Sequence, residues 1–380
     1  MNDSGSVGIV STQTVRLFTA DDPLVLASGA TLGPIDVAFE TYGTLSPNAD
    51  NAVMILHALT GDAHAAGWHE GARRPGWWDN LIGPGKPLDT DRFFVVCANL
   101  LGGCQGTTGP SSVNPATGRL YGLDFPVLAM SDFVAVHRAL VRHLGITRLL
   151  AALGGSLGGM QVLEWSLTYP EELANALIIA ASSRLTAQNI AFSAVARRAI
   201  MTDPNFHEGR YSEAGVIPNG GLSIARMMAH ITYLSEEALS EKFGRNPHPD
   251  AGKPGFGIDF AVESYLSYQG NAFLERFDAL SYLYLTRVMD YFDPFEHPTA
   301  SVARVQAHPL RFLVISFATD WRFSSMHSRR IVRRLVNAGQ PVSFREIPST
   351  WGHDSFLLEI ESYHATVRVF LDRALEEGTR

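Results

Sequence analysis

A serine flanked by small residues follows an apolar run near the middle of the chain, in the sequence Gly154-Gly155-Ser156-Leu157-Gly158. A sharp turn from strand to helix needs glycine on both sides of the serine, because a Cβ at either flank would clash. The turn exposes the serine hydroxyl at a helix N-terminus, which favours negative charge. The pattern predicts a nucleophilic Ser156. A phosphate-binding loop would instead need a Gly-Lys-Ser/Thr sequence, which this motif lacks.

A serine hydroxyl is a weak nucleophile until a positioned base removes its proton. Asp320 follows the late apolar run RFLVISFA, and His353 lies in the loop after VSFREI. The order serine, acid, histidine is the order in which α/β-hydrolase folds supply a catalytic triad. We therefore predict that Ser156, Asp320 and His353 act as nucleophile, acid and base. Taken singly, Asp320 is equally suited to capping a turn, and His353 to a surface loop.

Acyl transfer also needs two backbone N–H groups that stabilise an oxyanion. One donor is expected from the residue after the nucleophile, which is Leu157. The other is expected in the loop after an early strand, where the sequence HALTGD occurs. We assign this second donor to the amide of Leu59. The alternative interpretation of HALTGD is a flexible turn without a catalytic role.

The elements that must position these residues are visible as apolar runs that end abruptly in glycine, aspartate or other polar residues. Such continuous runs are typical of a parallel sheet that is covered on both faces. Helical segments lie between several of them, and Ser131–Leu144 begins with a serine suited to capping. This alternation predicts an α/β fold with a mostly parallel sheet. The runs are Ala52–Ala58, Phe93–Ala98, Leu149–Gly154, Ala176–Ala181, Arg311–Ala318 and Val342–Ile347.

Two regions depart from the alternation. Near the N-terminus, the short stretches 14–18, 24–26 and 35–41 predict antiparallel strands at one edge of the sheet. Residues 182–310 form a segment that is far too long for one connection between strands. Helical periodicity in this segment predicts a lid inserted over residues 184–300. The α/β-hydrolase core then comprises residues 1–183 and 301–380.

The composition limits the possible partners. A formal net charge of −8 argues against binding to nucleic acid or to an anionic membrane surface. The polar N-terminus does not resemble a signal peptide, and no apolar run approaches the roughly 18 residues of a membrane span. Two cysteines, Cys97 and Cys104, are too few for a disulfide framework, so we predict buried free thiols. We expect a cytoplasmic protein with no metal site and no permanently bound cofactor.

Nine motifs in a specific order resemble the homoserine O-acyltransferase family of methionine biosynthesis, over about residues 10–375. The resemblance implies a ping-pong reaction in which Ser156 takes an acyl group from acyl-coenzyme A. The γ-hydroxyl of L-homoserine then removes the acyl group. The resemblance also implies that Arg226 binds the homoserine carboxylate, that Asp354 binds the homoserine amine, and that two lids pair in a homodimer. The motifs are HALTGDAHAAG, PGWWD, IGPGKPLDT, GGCQGTTGP, GGSLGGMQ, AQNIAF, ARMMAHITYLS, VESYL and GHDSFL.

The predicted lid helix over Leu222–Leu234 supports these roles independently. Arg226, His230 and Tyr233 are spaced i, i+4, i+7 and therefore share one face of an otherwise apolar helix. A polar stripe directed into a catalytic tunnel would explain this pattern, so we also assign Tyr233 to substrate binding. The alternative is a solvated helix face.

The identity of the acyl group depends on Arg322, two residues after Asp320. Family members that resemble the succinyl-specific branch carry arginine here, whereas acetyltransferase members usually carry an apolar residue. A guanidinium pairs bidentately with the terminal carboxylate of a succinyl group, but in an acetyl pocket it would lose hydration without a partner. We therefore predict succinyl-CoA as the co-substrate, unless Arg322 pairs with a local acid or faces solvent.

Three other functions remain open from the sequence. A homoserine O-acetyltransferase would use acetyl-CoA with the same triad. A plain esterase would use the triad without an acceptor site, although transfer in preference to hydrolysis requires water exclusion and a bound acceptor. A non-catalytic binding module on this scaffold would commonly have lost a triad residue. The entrance arginines Arg73 and Arg74 are candidates for contacts with coenzyme A phosphates, but are equally plausible surface charges.

Overall fold

The computed structural model describes residues 5–250, 255–296 and 298–378. Its main feature is an eight-stranded sheet in the order β1-β4-β6-β5-β7-β8-β9-β10. The strands from β5 onward run parallel, and β1 and β4 form an antiparallel edge. The strands are β1 (Gln13–Leu17), β2 (Leu24–Val25), β3 (Thr31–Leu32), β4 (Ile35–Tyr42), β5 (Ala52–Leu56), β6 (Phe94–Ala98), β7 (Ala151–Gly155), β8 (Asn175–Ile179), β9 (Arg311–Phe317) and β10 (Val342–Ile347).

Helices cover both faces of the sheet, which confirms the predicted α/β-hydrolase architecture. Apolar residues of α1, α2 and α9 pack on one face, and α10 packs on the other. The central strands β5, β7 and β8 are buried along their whole length. The helices are α1 (Met130–His143), α2 (Leu157–Thr168), α3 (Ala187–Met201), α4 (Asn219–Tyr233), α5 (Glu236–Phe243), α6 (Ala261–Leu274), α7 (Ala279–Tyr291), α8 (Pro298–Ala307), α9 (Ser325–Asn337) and α10 (Glu361–Gly378).

Two local predictions near the N-terminal edge are wrong. Residues 24–26 do not join the main sheet, because β2 pairs with β3 through a tight turn that satisfies the backbone locally. Ser131 does not cap α1, since the helix already begins at Met130. Asp132 serves instead, because its two carboxylate oxygens accept the amides of Ala129 and Ala27 at 2.7 and 2.8 Å. One carboxylate thereby ties the hairpin to the helix.

Helices α3 to α8 occupy the long segment between β8 and β9, where α4 packs against both α3 and α6. The apolar helical pattern of Phe273–Met289 does not form one helix, because α6 ends at Leu274 and α7 begins at Ala279. Asp278 accounts for the break, since its side chain accepts the Ser281 amide at 2.8 Å as an N-cap.

Two further features bear on the sequence predictions. No helix in the described ranges is long and apolar enough to cross a membrane. Both cysteines are free thiols, but only Cys97 is buried, and Cys104 is half-buried. Cys104 contacts the turn between α6 and α7, where the Asp278 amide donates to its sulfur at 3.3 Å.

Candidate active site

Ser156 occupies the turn between β7 and α2 with a φ of 57° and a ψ of −120°. A non-glycine residue with positive φ is strained, and such strain persists where the surrounding structure holds it. The flanking glycines are needed because α2 lies against the end of β5. A Cβ on Gly158 would lie 1.8 Å from the carbonyl oxygen of Leu56, and one on Gly154 would lie 2.5 Å from the Gly158 backbone.

The predicted triad residues come together in hydrogen-bonding order. His353 Nε2 lies 2.8 Å from Ser156 Oγ, and His353 Nδ1 lies 2.7 Å from Asp320 Oδ2. The second oxygen of Asp320 accepts the Phe323 amide at 2.8 Å, which fixes the carboxylate. Nδ1–H therefore donates to Asp320, and Nε2 is free to accept the serine proton. This geometry is that of a general base aligned with its nucleophile.

The loop that carries His353 is held against the C-terminal end of α4 and the residues that follow it. Gly352 has a φ of 71°, and a Cβ there would lie 2.5 Å from the amide nitrogen of Ser235. Thr319 Oγ1 accepts the Gly352 amide at 3.0 Å and donates to the carbonyl of Ser349 at 2.8 Å. The position of the histidine therefore depends on a close contact between the core and the residues that follow α4.

The predicted oxyanion donors lie on two adjacent elements. Leu157 is the first residue of α2, and Leu59 lies in the loop after β5. Both side chains are buried. Neither amide donates to another group within the described parts of the chain, so both N–H groups are available for an oxyanion.

Helix α4 brings two of its three predicted polar residues to the triad. The Tyr233 ring lies 5.9 Å from the His353 ring. The Arg226 guanidinium lies 6.0 Å from the Tyr233 ring and 4.8 Å from the Phe273 ring, and its Nη1 donates to Thr60 Oγ1 at 3.3 Å. Its Nε is buried without a hydrogen-bond partner among the described residues. This guanidinium retains capacity for an anionic ligand.

The third residue of the stripe, His230, has a supporting position. Its Nδ1 lies 3.2 Å from the hydroxyl of Tyr265, and its ring packs edge-on against Tyr233. Burial, together with nearby positive charges led by Arg226, lowers the pKa of His230 to about 3. A neutral imidazole here packs beside Tyr233 without adding charge.

Asp354 follows the triad histidine directly and is half-buried. Burial raises the pKa of its carboxyl to about 6, although His353, Arg226 and Arg322 favour the ionised form. The neighbouring charge of Asp320 reinforces the rise. The positive charge of Arg226 thus favours the Asp354 carboxylate, whereas burial opposes it. A cation bound beside Asp354 would favour the ionised form further.

Arg322 neither faces solvent nor pairs with an acid. Arg322 is only 8% exposed, and its Nη1 donates a hydrogen bond to Thr232 Oγ1 at 2.8 Å. The guanidinium lies 5.5 Å from the ring of Tyr233, and this tyrosine also contacts His353. No carboxylate in the part of the chain that the structure describes lies within ion-pair distance. A buried charge without a counter-ion is costly, so the site suits an anionic ligand.

A basic cavity of about 660 Å³ opens beside the oxyanion loop. It is lined by Arg73, Arg74, Arg226 and Arg276 among others. Arg276 is anchored because its Nη2 donates to the carbonyl of Thr60 at 2.8 Å. The structure thus places both entrance arginines on the wall of this cavity, where their charge reinforces that of the lid arginines.

One polar cluster was missed by sequence reasoning, which predicted no metal site. The buried carboxylate of Glu40 accepts hydrogen bonds from His64 and His69, at 3.0 and 2.6 Å, and from Thr12 and Tyr42, both at 2.8 Å. Burial opposes ionisation, but these hydrogen bonds outweigh it and hold the pKa of Glu40 below its usual value. The two rings stack 3.7 Å apart with planes inclined by 28°. These hydrogen bonds tie Thr12 and the loop that carries His64 and His69 to Glu40 of β4, at the N-terminal edge of the sheet.

The chain is similar to proteins of known fold and name. A family profile for the alpha/beta hydrolase fold matches residues 51–360. The chain is 58% identical to a homoserine O-succinyltransferase from a Nocardioides species, over 97% of this chain and 100% of that protein. It is 55% identical to the homoserine O-succinyltransferase of Magnetococcus marinus, over 99% and 98% of the two chains. It is also 51% identical to a homoserine O-acetyltransferase of Rhodopseudomonas palustris, over 95% and 90%.

Solved structures show the same fold with different activities. Homoserine O-acetyltransferase from Bacillus anthracis matches with a TM-score of 0.87 and 27% identity, over 96% of this chain and 98% of that one. Esterase E22 matches with a TM-score of 0.85 and 27% identity, over 96% and 100%. The backbone alone therefore does not distinguish transfer from hydrolysis. From the family profile and the relatives above 50% identity, the chain belongs to the homoserine O-acyltransferase family of the α/β-hydrolase fold.

Proposed function

We propose that the protein is a homoserine O-succinyltransferase, which transfers the succinyl group of succinyl-CoA to the γ-hydroxyl of L-homoserine. The observation that carries the choice of donor is the buried Arg322, which has no acidic partner in the described structure and lies against Tyr233 beside the triad. The relatives that are 58% and 55% identical are homoserine O-succinyltransferases, which agrees with this choice.

The first half-reaction forms an acyl-enzyme. His353 removes the proton of Ser156 as its Oγ attacks the thioester carbonyl of succinyl-CoA. The carbonyl oxygen becomes an oxyanion, which the amides of Leu59 and Leu157 stabilise. The intermediate then collapses, the carbon–sulfur bond breaks, and the coenzyme A thiol leaves with the proton that His353 returns.

The second half-reaction repeats this chemistry with a different nucleophile. His353 removes the proton of the homoserine γ-hydroxyl, whose oxygen attacks the ester carbonyl of the acyl-enzyme. Collapse of the second oxyanion breaks the bond to Ser156 Oγ and returns the proton to the serine. In each half-reaction, the proton that His353 removes from the nucleophile is delivered to the leaving group.

Transfer in preference to hydrolysis requires that homoserine is bound and that water is excluded. Arg226 is suited to the homoserine carboxylate, since its guanidinium is half-buried against Phe273 and its Nε has no partner among the described groups. Asp354 is suited to the ammonium, which would favour the ionised carboxylate that burial opposes. We assign Tyr233 to the wall between the acceptor and acyl sites, because its ring contacts both His353 and the Arg322 guanidinium.

We further assign a binding site for coenzyme A and a surface for dimerisation. The basic cavity suits the coenzyme A phosphates, with Arg73, Arg74 and Arg276 as their partners. The lid exposes apolar side chains at Ile224 and Ile231 of α4, which suits pairing with a second lid in a homodimer. A cytoplasmic location, which the sequence predicts, is also part of the proposal.

The function is tested by comparing kcat/KM for succinyl-CoA and acetyl-CoA, with L-homoserine, in the wild type, Arg322→Leu and Arg322→Lys. We expect the wild type to prefer succinyl-CoA, and the leucine variant to lose about 2–5 kcal/mol of succinyl transition-state stabilisation, because the succinate carboxylate loses its buried partner. The lysine variant keeps the charge and should retain part of the preference.

Two results of this experiment would favour other functions. A wild-type preference for acetyl-CoA would favour the acetyltransferase represented by the Rhodopseudomonas palustris relative, and the roles of the triad and acceptor site would stand. Release of free succinate in place of O-succinylhomoserine would instead favour an esterase.

Ser156→Ala should abolish the covalent intermediate. When succinyl-CoA is added without homoserine, we expect intact-mass spectrometry to detect one succinyl group on the wild type and none on the variant. Ser166→Ala is a matched control, because Ser166 is a buried serine on the same helix whose hydroxyl donates to the Leu163 carbonyl at 2.8 Å, away from the triad. A succinyl adduct on Ser156→Ala would contradict the nucleophile assignment.

Arg226→Met should raise the KM for L-homoserine, by an amount that corresponds to roughly 2–5 kcal/mol, because the substrate carboxylate loses its partner. The methionine preserves much of the packing against Phe273. The rate at which succinyl-CoA acylates Ser156 should change far less, and single-turnover kinetics measures it separately. Arg245→Met, at an exposed position of the lid, is the control. An unchanged homoserine KM in Arg226→Met would refute this role.

Homoserine use should depend on the ionisation of Asp354, whose pKa is raised to about 6. The raised value means that the carboxylate is protonated as the pH falls through about 6, and its attraction for the ammonium is lost. We expect kcat/KM for homoserine to fall by about tenfold per pH unit below this value. Normalising to the rate of acyl-enzyme formation removes the contribution of His353. Asp354→Asn should be weaker throughout and lack this additional pH dependence, whereas an identical profile in both proteins would contradict the assignment.

A further inference from the structure

His57, the first residue of the oxyanion loop, is 2% exposed and has both ring nitrogens engaged. The Leu100 amide donates to Nε2 at 3.1 Å. Because a backbone N–H only donates, Nε2 must be unprotonated. Nδ1 lies 2.7 Å from the carbonyl oxygen of Ala58, which only accepts, so Nδ1 must carry the proton. The two contacts impose one neutral tautomer, and burial, which lowers the pKa of His57, acts in the same direction.

The Ala58 carbonyl belongs to the same peptide plane as the amide of Leu59. In a trans peptide, the C=O and N–H groups point in opposite directions. The hydrogen bond from the His57 ring therefore fixes one end of this peptide and aims the Leu59 N–H away from it. The Gly61 amide also donates to the Ala58 carbonyl at 3.0 Å. A Cβ on Gly61 would lie 3.0 Å from the His57 Cβ and 3.2 Å from its ring, so glycine at this position lets the loop pack closely on the imidazole.

The preceding peptide is fixed from α2 by Gln161, which is fully buried. Its Nε2 donates to the carbonyl of His57 at 3.2 Å and to the carbonyl of Leu157 at 3.3 Å. These are backbone carbonyls of the two segments that supply the predicted oxyanion donors. One amide group thus sets the distance between the loop after β5 and the first turn of the nucleophile helix.

A second buried histidine orients Gln161. His137 of α1 is 0% exposed, and its Nε2 lies 3.0 Å from Gln161 Oε1. Since the Gln161 nitrogen faces two carbonyls, its oxygen faces His137 and accepts a hydrogen bond from Nε2–H. Burial, which is only partly offset by this hydrogen bond, lowers the pKa of His137 to about 4, so the ring is neutral. The chain of contacts therefore runs from His137 through Gln161 to the backbone of His57 and Leu157.

We propose that His57, Gln161 and His137 are positioning residues that hold the Leu59 and Leu157 amides in the geometry of the oxyanion hole. The proposal rests on the acyl-transfer function proposed above and adds the groups that preorganise it. Preorganised donors act without reorganisation during the reaction, and a displacement of about 1 Å in such a site lowers rates by about a hundredfold. Buried polar groups destabilise a core when they are not fully hydrogen-bonded, whereas a satisfied network makes the local geometry rigid.

The test replaces Gln161 with methionine, which has a similar length but cannot make these hydrogen bonds. We expect the single-turnover rate of Ser156 acylation by succinyl-CoA to fall roughly tenfold to a hundredfold, because the oxyanion donors are misaligned. The KM for homoserine should stay within about twofold of the wild type, since Arg226 and Asp354 are unchanged.

Gln340→Met is the matched control. Gln340 is also buried, and its Nε2 donates to the carbonyls of Val305 and Ala338 at 3.0 and 3.3 Å, while its Oε1 accepts the Leu310 amide at 3.2 Å. These contacts lie at the opposite end of β9 from Asp320. Both variants should lose thermal stability, but only Gln161→Met should lose acylation rate. Equal acylation rates in the two variants would reduce the network to a structural role and overturn the proposal.

A measurement on the wild type keeps the proposal testable if Gln161→Met does not fold. Nuclear magnetic resonance of ¹⁵N-labelled protein should detect a coupling across the hydrogen bond between the Leu100 amide and His57 Nε2, together with a neutral His57 ring that carries its proton on Nδ1 at pH 7. Protonation of Nε2 at this pH would overturn the proposal. A wild type that forms no acyl-enzyme would contradict the proposed function instead, which keeps the two failures distinct.

Discussion

The close approach of α2 to the end of β5 is the constraint on which the rest of the site depends. The carbonyl of Leu56 lies where a Cβ of Gly158 would be, so only glycine permits the two elements to meet. This contact brings the nucleophile turn beside the loop that follows β5, which carries the predicted oxyanion donor Leu59. The strained φ of Ser156 is tolerated because β7, β8 and α2 hold the turn on both sides.

Two arginines, one on α4 and one in the loop after β9, place charge in a setting where charge is costly. Arg226 and Arg322 both approach Tyr233, and the described residues provide neither with an ion pair. Aromatic rings and single hydroxyl groups satisfy part of the guanidinium hydrogen bonding, which leaves each cation incompletely compensated. Asp354 is the corresponding acidic group, and burial disfavours its ionised form. Binding of a zwitterionic acceptor and an anionic acyl group would relieve both conditions at once.

This arrangement also explains why a single backbone serves enzymes with different activities. The triad and the oxyanion loop belong to the core, and they are compatible with either water or an alcohol as the acceptor. In the function proposed above, side chains of α4 and Arg322 line the space for the acceptor and the acyl group. That proposal assigns selectivity to a few charged side chains on α4 and in the loop after β9, and the acyl-transfer chemistry to residues of the core.

The sequence by itself determined the sheet strands, the nucleophile turn and the order of the triad, because these depend on local patterns of apolar residues and glycine. It did not determine the pairing of residues 24–26, the cap of α1 or the break before Ala279, where side chains and turns compete for the same backbone groups. Nor did it indicate the burial of Arg322, the Glu40 cluster or the chain from His137 to His57. Those features join residues far apart in sequence, and only tertiary packing decides which buried polar groups meet and which of them remain without a partner.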